Sequence, residues 1–198
     1  LAAQHLAEAL EDLVHEQIKE HPDYEIVVCG HSLGAAAATL LTLIWAKEKT
    51  FGDTPLSAYA FGPPCSLSYE LCQTPFSRHY VTSIVVGDDF VARLNVNTLK
   101  DVQETVVAMV PQEEVSDKKK LEFYHDLQRQ TSSHGMLYSP GTIYLLESEE
   151  FNMNALEVDP RTLFTSLEVT STFITSHFPQ RYVGAIDNLL KSPETECI

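Results

Sequence analysis

The chain has 198 residues, enough for one domain with its own core. Apolar residues are 44% and charged residues 21%, a soluble globular balance, and no apolar run approaches the roughly 18–20 residues of a membrane span. Net charge is −15, from 13 basic against 28 acidic residues, a field that repels nucleic acid and anionic headgroups.

Residues 1–20 carry Leu6, Ala9, Leu10, Leu13, Val14 and Ile18, the spacing of an amphipathic helix. His21-Pro22-Asp23 stops it. Tyr24 to Cys29 is short, apolar and β-branched, so it reads as a buried strand, with Cys29 a buried thiol. Residues 33–48, rich in Ala and Leu, read as a helix. Leu56 to Phe61 reads as a second strand, closed by Gly62-Pro63-Pro64, and 67–73 as a short helix. Val81 to Val86 is a third strand, closed by Gly87-Asp88-Asp89. This alternation predicts an α/β fold whose parallel strands open their functional loops on one side, at Gly30, Gly62 and Gly87.

Residues 95–134 are polar and charged and read as an inserted helical or mobile excursion, with helices over 97–110 and 119–130. Strands are predicted over 142–146, 153–158 and 164–169, and a last helix over 180–190. Of the four cysteines, none forms a CxxC pair, which argues against a zinc site; Cys65 and Cys72 are close enough in sequence to pair, and reduced, intracellular thiols fit the pattern better.

Gly30-His31-Ser32-Leu33-Gly34 sits where a strand turns into a helix and matches the nucleophile elbow, G-x-S-x-G. The serine needs a tight, strained turn. Side chains at both flanking glycines are expected to clash with the neighbouring strand and helix. The helix after the serine aims its free N–H groups at the site, and the Leu33 N–H is a natural oxyanion donor. A serine hydroxyl needs a base, and the base an orienting acid, in the chain order Ser, acid, His. Asp88 and Asp89 both follow the third strand; one faces the site while the other caps the next helix, and composition does not choose. Among the histidines, His5, His15 and His21 precede the serine, His31 is held inside the elbow, and His79 precedes the acid. His125 lies in the charged excursion. His134 and His177 come after the acid, and His177 has the better context, in a loop after the last strand and before a terminal helix.

Three stretches resemble the class 3 lipases, and among them the sn-1-specific diacylglycerol lipases: VVCGHSLGAAAATLL, SAYAFGPPCSLS and SIVVGDDFVARL. The resemblance makes Asp89 the triad acid, although Ala92 stands where that family usually has proline. His177-Phe178-Pro179-Gln180-Arg181-Tyr182 matches the family's His-x-Pro-x-Arg-Tyr, with Ser176 where aspartate commonly precedes the histidine. Leu137-Tyr138-Ser139-Pro140-Gly141 resembles its LYPPG, which removes His134 as the base. The likeness covers most of 20–95 and 135–190.

It implies an α/β-hydrolase fold, a mostly parallel central sheet flanked by helices, spanning 1–198 as one domain whose N-terminal part is absent. It implies ester hydrolysis of acylglycerols, most of all diacylglycerol, through Ser32, Asp89, His177 and the Leu33 N–H, with no metal or cofactor. In that family the lid, the second oxyanion donor and membrane-spanning helices lie upstream of the first helix. An intracellular, membrane-associated full-length protein is therefore expected, meeting lipid through parts outside this sequence. A hydrolase of another acyl ester, or a lipase-like interaction protein with little activity, are the alternatives.

Overall fold

The computed structural model describes residues 2–94, 137–149, 152–163 and 170–191. The chain opens with helix α1 (Ala2–Glu20), strand β1 (Ile26–His31) and helix α2 (Leu33–Glu48). Strand β2 (Leu56–Phe61), the short β3 (Leu67–Ser68), and helices α3 (Tyr69–Cys72) and α4 (Pro75–Tyr80) come next. Strand β4 (Val81–Val86), the two-residue β5 (Leu137–Tyr138), β6 (Thr142–Glu149) and β7 (Asn152–Glu157) complete the strands. The short helix α5 (Pro160–Leu163) and the final helix α6 (Pro179–Lys191) close the described chain.

Five strands form one sheet in the order β1-β2-β4-β6-β7. The first four run parallel, and β7 turns back antiparallel to β6. The mostly parallel α/β-hydrolase sheet expected from the sequence is the sheet observed. β3 and β5 pair antiparallel in a separate two-stranded ribbon.

Strand β1 differs from its expected bounds. It begins at Ile26 and runs through Gly30 and His31, because its register with β2 continues from Ile26 opposite Leu56 to His31 opposite Phe61. It is also an edge strand among the described residues. Ile26 and Val28 face inward onto a cluster with Trp45, Leu41 and Phe51. Val27 and Cys29 point to the other face and are exposed, as is Tyr59 on β2. Cys29 is therefore not the buried thiol that its apolar setting suggests. An apolar run implies two covered faces, and among the described residues this strand has one.

Helix α1 is amphipathic as expected, but its buried stripe is shifted by one position. Ala3 and Ala7 are buried, and Leu10, Val14 and Ile18 continue that face onto α2 and the sheet. Leu6 and Leu13 are exposed. Spacings of three and four select either stripe, and the one carrying alanine lets the two helices approach closely. Helix α2 buries Ala35, Ala36, Ala38, Thr39, Leu41, Thr42, Leu43 and Trp45, which is the near-continuous burial of a helix packed on both sheet and helix. Helix α4, which no sequence periodicity announces, starts from Thr74, whose hydroxyl accepts the Ser77 N–H, with Pro75 in its first turn. The insert over 95–134, with its helices at 97–110 and 119–130 and with His125 and His134, lies outside the described residues; so do the strand at 164–169 and Cys197. Cys65 and Cys72 are not joined in a disulfide. Burial pushes the Cys72 thiol up to about 12.

The parallel register brings the strand ends level. The Ser32 N–H bonds to the Phe61 carbonyl, the Gly62 N–H to that of Ile84, and the Gly87 N–H to that of Leu146. Each bond carries the ladder one step past a strand end. The loops after β1, β2 and β4 are thereby fixed on one edge of the sheet.

Candidate active site

Ser32 occupies the single residue between β1 and α2. Its backbone is left-handed, with φ 59° and ψ −128°, a conformation that costs an ordinary residue about 1–3 kcal/mol. The strain is imposed from both sides, by the β-ladder bond to Phe61 and by α2, whose first helical bonds run from Ala35 and Ala36 N–H to the Ser32 carbonyl. Leu33 opens the helix, so its N–H lies outside the helical ladder, while its side chain is exposed beside the serine.

The two glycines flanking the serine are not equivalent. A Cβ on Gly30 would sit 2.3 Å from the Gly34 carbonyl oxygen and 2.8 Å from the Ala35 nitrogen, both backbone atoms that cannot move aside. A Cβ on Gly34 would meet nothing within 4 Å among the described residues. The expected crowding is thus confined to Gly30, where α2 folds back across its own entry strand.

The structure brings Ser32, His177 and Asp89 into one hydrogen-bonded row, with residues 145 and 88 positions apart in the chain. His177 Nε2 is 2.9 Å from Ser32 Oγ. Its Nδ1 lies 2.9 Å and 3.1 Å from the two oxygens of Asp89. Asp89 is fully buried, so its charge depends on donors. Among the described residues it has three: the His177 ring N–H, the Val91 N–H at 2.8 Å and the Tyr182 hydroxyl at 2.5 Å. Burial pushes the Tyr182 phenol far up, and the neighbouring Asp89 charge adds to it, so the hydroxyl remains a donor at every physiological pH.

Of the two aspartates, between which composition alone does not choose, Asp89 is the one that lies beside His177. Both of its oxygens lie within reach of His177 Nδ1, and Oδ1 also accepts the Val91 N–H. Asp88 points the other way. It accepts the hydroxyls of Ser176 at 2.5 Å, Thr172 at 2.6 Å and Thr170. Its partial burial would raise its pKa, but these donors, Ser176 first, outweigh that and hold it below the usual carboxylate range.

Three neighbours lie inside motifs that the sequence shows but receive no role from them. His31 Nε2 lies 2.8 Å from the His177 carbonyl oxygen, and its ring stacks on that of His177 at 4.6 Å. A carbonyl accepts, so this contact makes His31 Nε2 the protonated nitrogen. Tyr182 ends the His-x-Pro-x-Arg-Tyr motif, and it is the second side-chain donor to the acid. Gly62 has φ 54°, and a Cβ there would lie 2.7 Å from the Tyr182 hydroxyl, 2.8 Å from Asp89 Oδ2 and 3.2 Å from His177 Nδ1. The glycine that ends β2 is the floor on which the acid and the imidazole rest. Its one signal is the Gly-Pro-Pro after the strand, which reads equally as a plain turn.

A cleft of about 770 Å³ lies beside this row, behind Asp88, between α6 and the ends of β4 and β6. Arg181, Gln180, Glu147 and Met153 line it; Ser32 and His177 do not. Among the described residues no group of three or more His, Cys, Asp or Glu side chains is arranged to hold a metal ion.

The family model described as lipase (class 3) matches residues 1–99. Diacylglycerol lipase-beta of Mus musculus is 36% identical over 91 residues, which are 45% of this chain and 13% of that protein. Diacylglycerol lipase-alpha of Homo sapiens is 32% identical over 77 residues, 39% of this chain and 7% of that protein. The matched stretch is thus a small part of either relative. Among solved structures, the lipase from Rhizopus microsporus var. chinensis aligns with a TM-score of 0.50 at 19% identity, covering 88% of this chain and 50% of that one. A mutant form of MDLA from Penicillium cyclopium also gives 0.50, at 18% identity, covering 88% and 53%. At those identities the two structures speak for the fold.

Proposed function

The chain belongs to the class 3 lipase family, and we propose that it carries the nucleophile, base and acid of an acylglycerol lipase acting on diacylglycerol. One observation supports this above the others: Ser32, held in a left-handed elbow, within 2.9 Å of an imidazole that is itself 2.9 Å from a fully buried carboxylate.

In this reading His177 Nε2 takes the proton of Ser32 as its oxygen attacks the acyl carbonyl. The carbonyl oxygen becomes an anion and receives the Leu33 N–H, supported by the N-terminal end of α2. Asp89 holds Nδ1 protonated, which leaves Nε2 free to accept, and it offsets the positive charge that forms on the ring. The tetrahedral species collapses, and His177 returns its proton to the departing glycerol oxygen. Water then repeats the sequence on the acyl-enzyme: His177 removes its proton, the carbonyl is attacked again, and Ser32 leaves with the proton restored.

Apolar residues flank the reacting groups in sequence. Leu33 follows the serine, Phe178 follows the histidine, and Ile174 precedes it by three; all three are exposed. A lip of that kind suits a long acyl chain better than a small polar ester. The diacylglycerol preference rests on the two diacylglycerol lipases that the chain resembles. No described helix is long and apolar enough to cross a membrane.

The test is turnover of mono-, di- and triacylglycerol by full-length protein in matched mixed micelles. The reading expects diacylglycerol to be cleaved fastest, and Ser32→Ala to abolish cleavage. Hydrolysis confined to a soluble short-chain ester, or equal in Ser32→Ala, would overturn it.

A further inference from the structure

We propose that Asp88 is a positioning residue whose carboxylate clasps the segment Thr170–Ser176 and thereby sets the approach of His177 to Ser32. The inference rests on the triad reading above. His177 sits at the end of a short 3-10 turn, Thr175–His177, on a stretch with no strand or helix on its N-terminal side from 170 onward. A loop of that kind does not hold an imidazole within a few tenths of an ångström unless something outside it does.

The outside anchor is the neighbour of the triad acid. Asp88 Oδ2 accepts from Thr170 Oγ1 and from Thr172 Oγ1, and Oδ1 accepts from Ser176 Oγ, the residue bonded to His177. All of these side chains come from one seven-residue stretch, and Asp88 is the carboxylate they share among the described residues. The hydroxyls also order the loop internally. Thr170 Oγ1 accepts the Thr172 and Phe173 N–H groups, and the Thr175 hydroxyl donates to the Thr172 carbonyl. A backbone bond from the Phe90 N–H to the Phe173 carbonyl and the edge-on contact of the two rings fix the same stretch one residue beyond the acid. The successive residues Asp88, Asp89 and Phe90 thus hold the loop by its hydroxyls, its imidazole and its backbone.

The division of labour comes from chain direction. Asp88 and Asp89 are adjacent, so their side chains diverge. One reaches the histidine ring, and the other reaches the segment that carries it. Charge-assisted bonds to an ionised carboxylate are short and directional, which a clasp of neutral groups would not match. Loss of the clasp frees the loop to shift His177 relative to Ser32, and a displacement near 1 Å at a reacting group lowers rate by about a hundredfold.

The measurement is steady-state turnover of a soluble p-nitrophenyl ester by full-length protein, with the rate of fluorophosphonate labelling and a thermal midpoint for each variant. Asp88→Ala is expected to lower kcat and labelling by about 10- to 100-fold, with KM within about twofold and a folded melting transition. Asp88→Asn, which keeps an acceptor oxygen, is expected to recover part of that loss. The double variant Thr172→Val with Ser176→Ala, which leaves Asp88 charged and Thr170 in place, is expected to reproduce most of the Asp88→Ala loss. Adding Asp88→Ala to it is expected to cost less than Asp88→Ala costs alone, because two of the clasp's three hydroxyls are already gone. Wild-type labelling with Asp88→Ala and the double variant both within twofold of it would refute the clasp while leaving the triad intact. A loss carried by KM instead of kcat, or full additivity, would also refute it. Absent labelling of the wild type would instead bring down the triad reading, and the clasp with it.

Discussion

Replacing Gly62 with alanine puts one methyl group under the acid and the imidazole. The added Cβ would lie 2.8 Å from Asp89 Oδ2 and 2.7 Å from the Tyr182 hydroxyl, where ordinary contact begins at 3.4 Å. Relief therefore demands a shift of about 0.6 Å in the carboxylate, from the difference of 3.4 and 2.8 Å. That shift competes directly with the 2.9 Å contact from His177 Nδ1. At the sensitivity of reacting groups to placement, the expected loss is about 10- to 100-fold in kcat, or roughly 1.4–2.7 kcal/mol in the barrier. Backbone strain adds to it, because φ 54° suits glycine and costs alanine about 1–2 kcal/mol of stability. For a chain of this size that is roughly 2–8 °C in melting midpoint. The assay is hydrolysis of a soluble p-nitrophenyl ester, run well below the midpoint of the variant, with a thermal melt beside it. Activity within twofold of wild type in the folded variant would show that Gly62 is only a turn residue and that its closeness to the acid has no consequence.

The glycines of the elbow should separate in the same kind of experiment. Gly30→Ala is expected to cost about 3 kcal/mol or more, since its Cβ meets backbone at 2.3 Å. Gly34→Ala, inside α2 and unobstructed, is expected to raise the midpoint by roughly 1–4 °C; thermal melts that rank the two in the opposite order would contradict the crowding argument. Cys72 gives a pH test. Its folded pKa is raised from 9.0 to about 12, so the unfolded thiol ionises first; its contribution is full below pH 9 and is lost as pH climbs toward 12. Denaturant titrations at rising alkaline pH should show a decline that Cys72→Ala flattens, and iodoacetamide near neutral pH should alkylate the exposed Cys29 while sparing Cys72.

The elbow is legible in the sequence because its chemistry is local. Gly30, Ser32 and the apolar run before them lie close together in the chain, and the strand-to-helix turn they require can be read from the same window. The parallel sheet is legible for a related reason, since strand and helix periods alternate cleanly from residue 24 to residue 86. The features that escape the sequence depend on contacts between distant segments. Composition and periodicity do not say whether Asp88 or Asp89 faces the histidine; the family resemblance points to Asp89, and which way the two adjacent side chains turn depends on contacts with the 170–177 loop. The exposure of Cys29 depends on what lies beyond β1, which no property of that strand encodes. The roles of Gly62, His31 and Tyr182 appear only when three strand ends and the head of α6 meet. Helix α4 has six residues, too few turns to show a period, although Thr74 and Pro75 form an ordinary N-terminal signal.

The central claim is that Ser32 is the nucleophile and that His177 activates it. Full-length protein treated with a fluorophosphonate, digested and read by mass spectrometry, tests this most directly. The account predicts a single adduct on the peptide containing Ser32, absent in Ser32→Ala and slowed by several orders of magnitude in His177→Ala. An adduct on another residue, or labelling of Ser32→Ala at the wild-type rate, would contradict it.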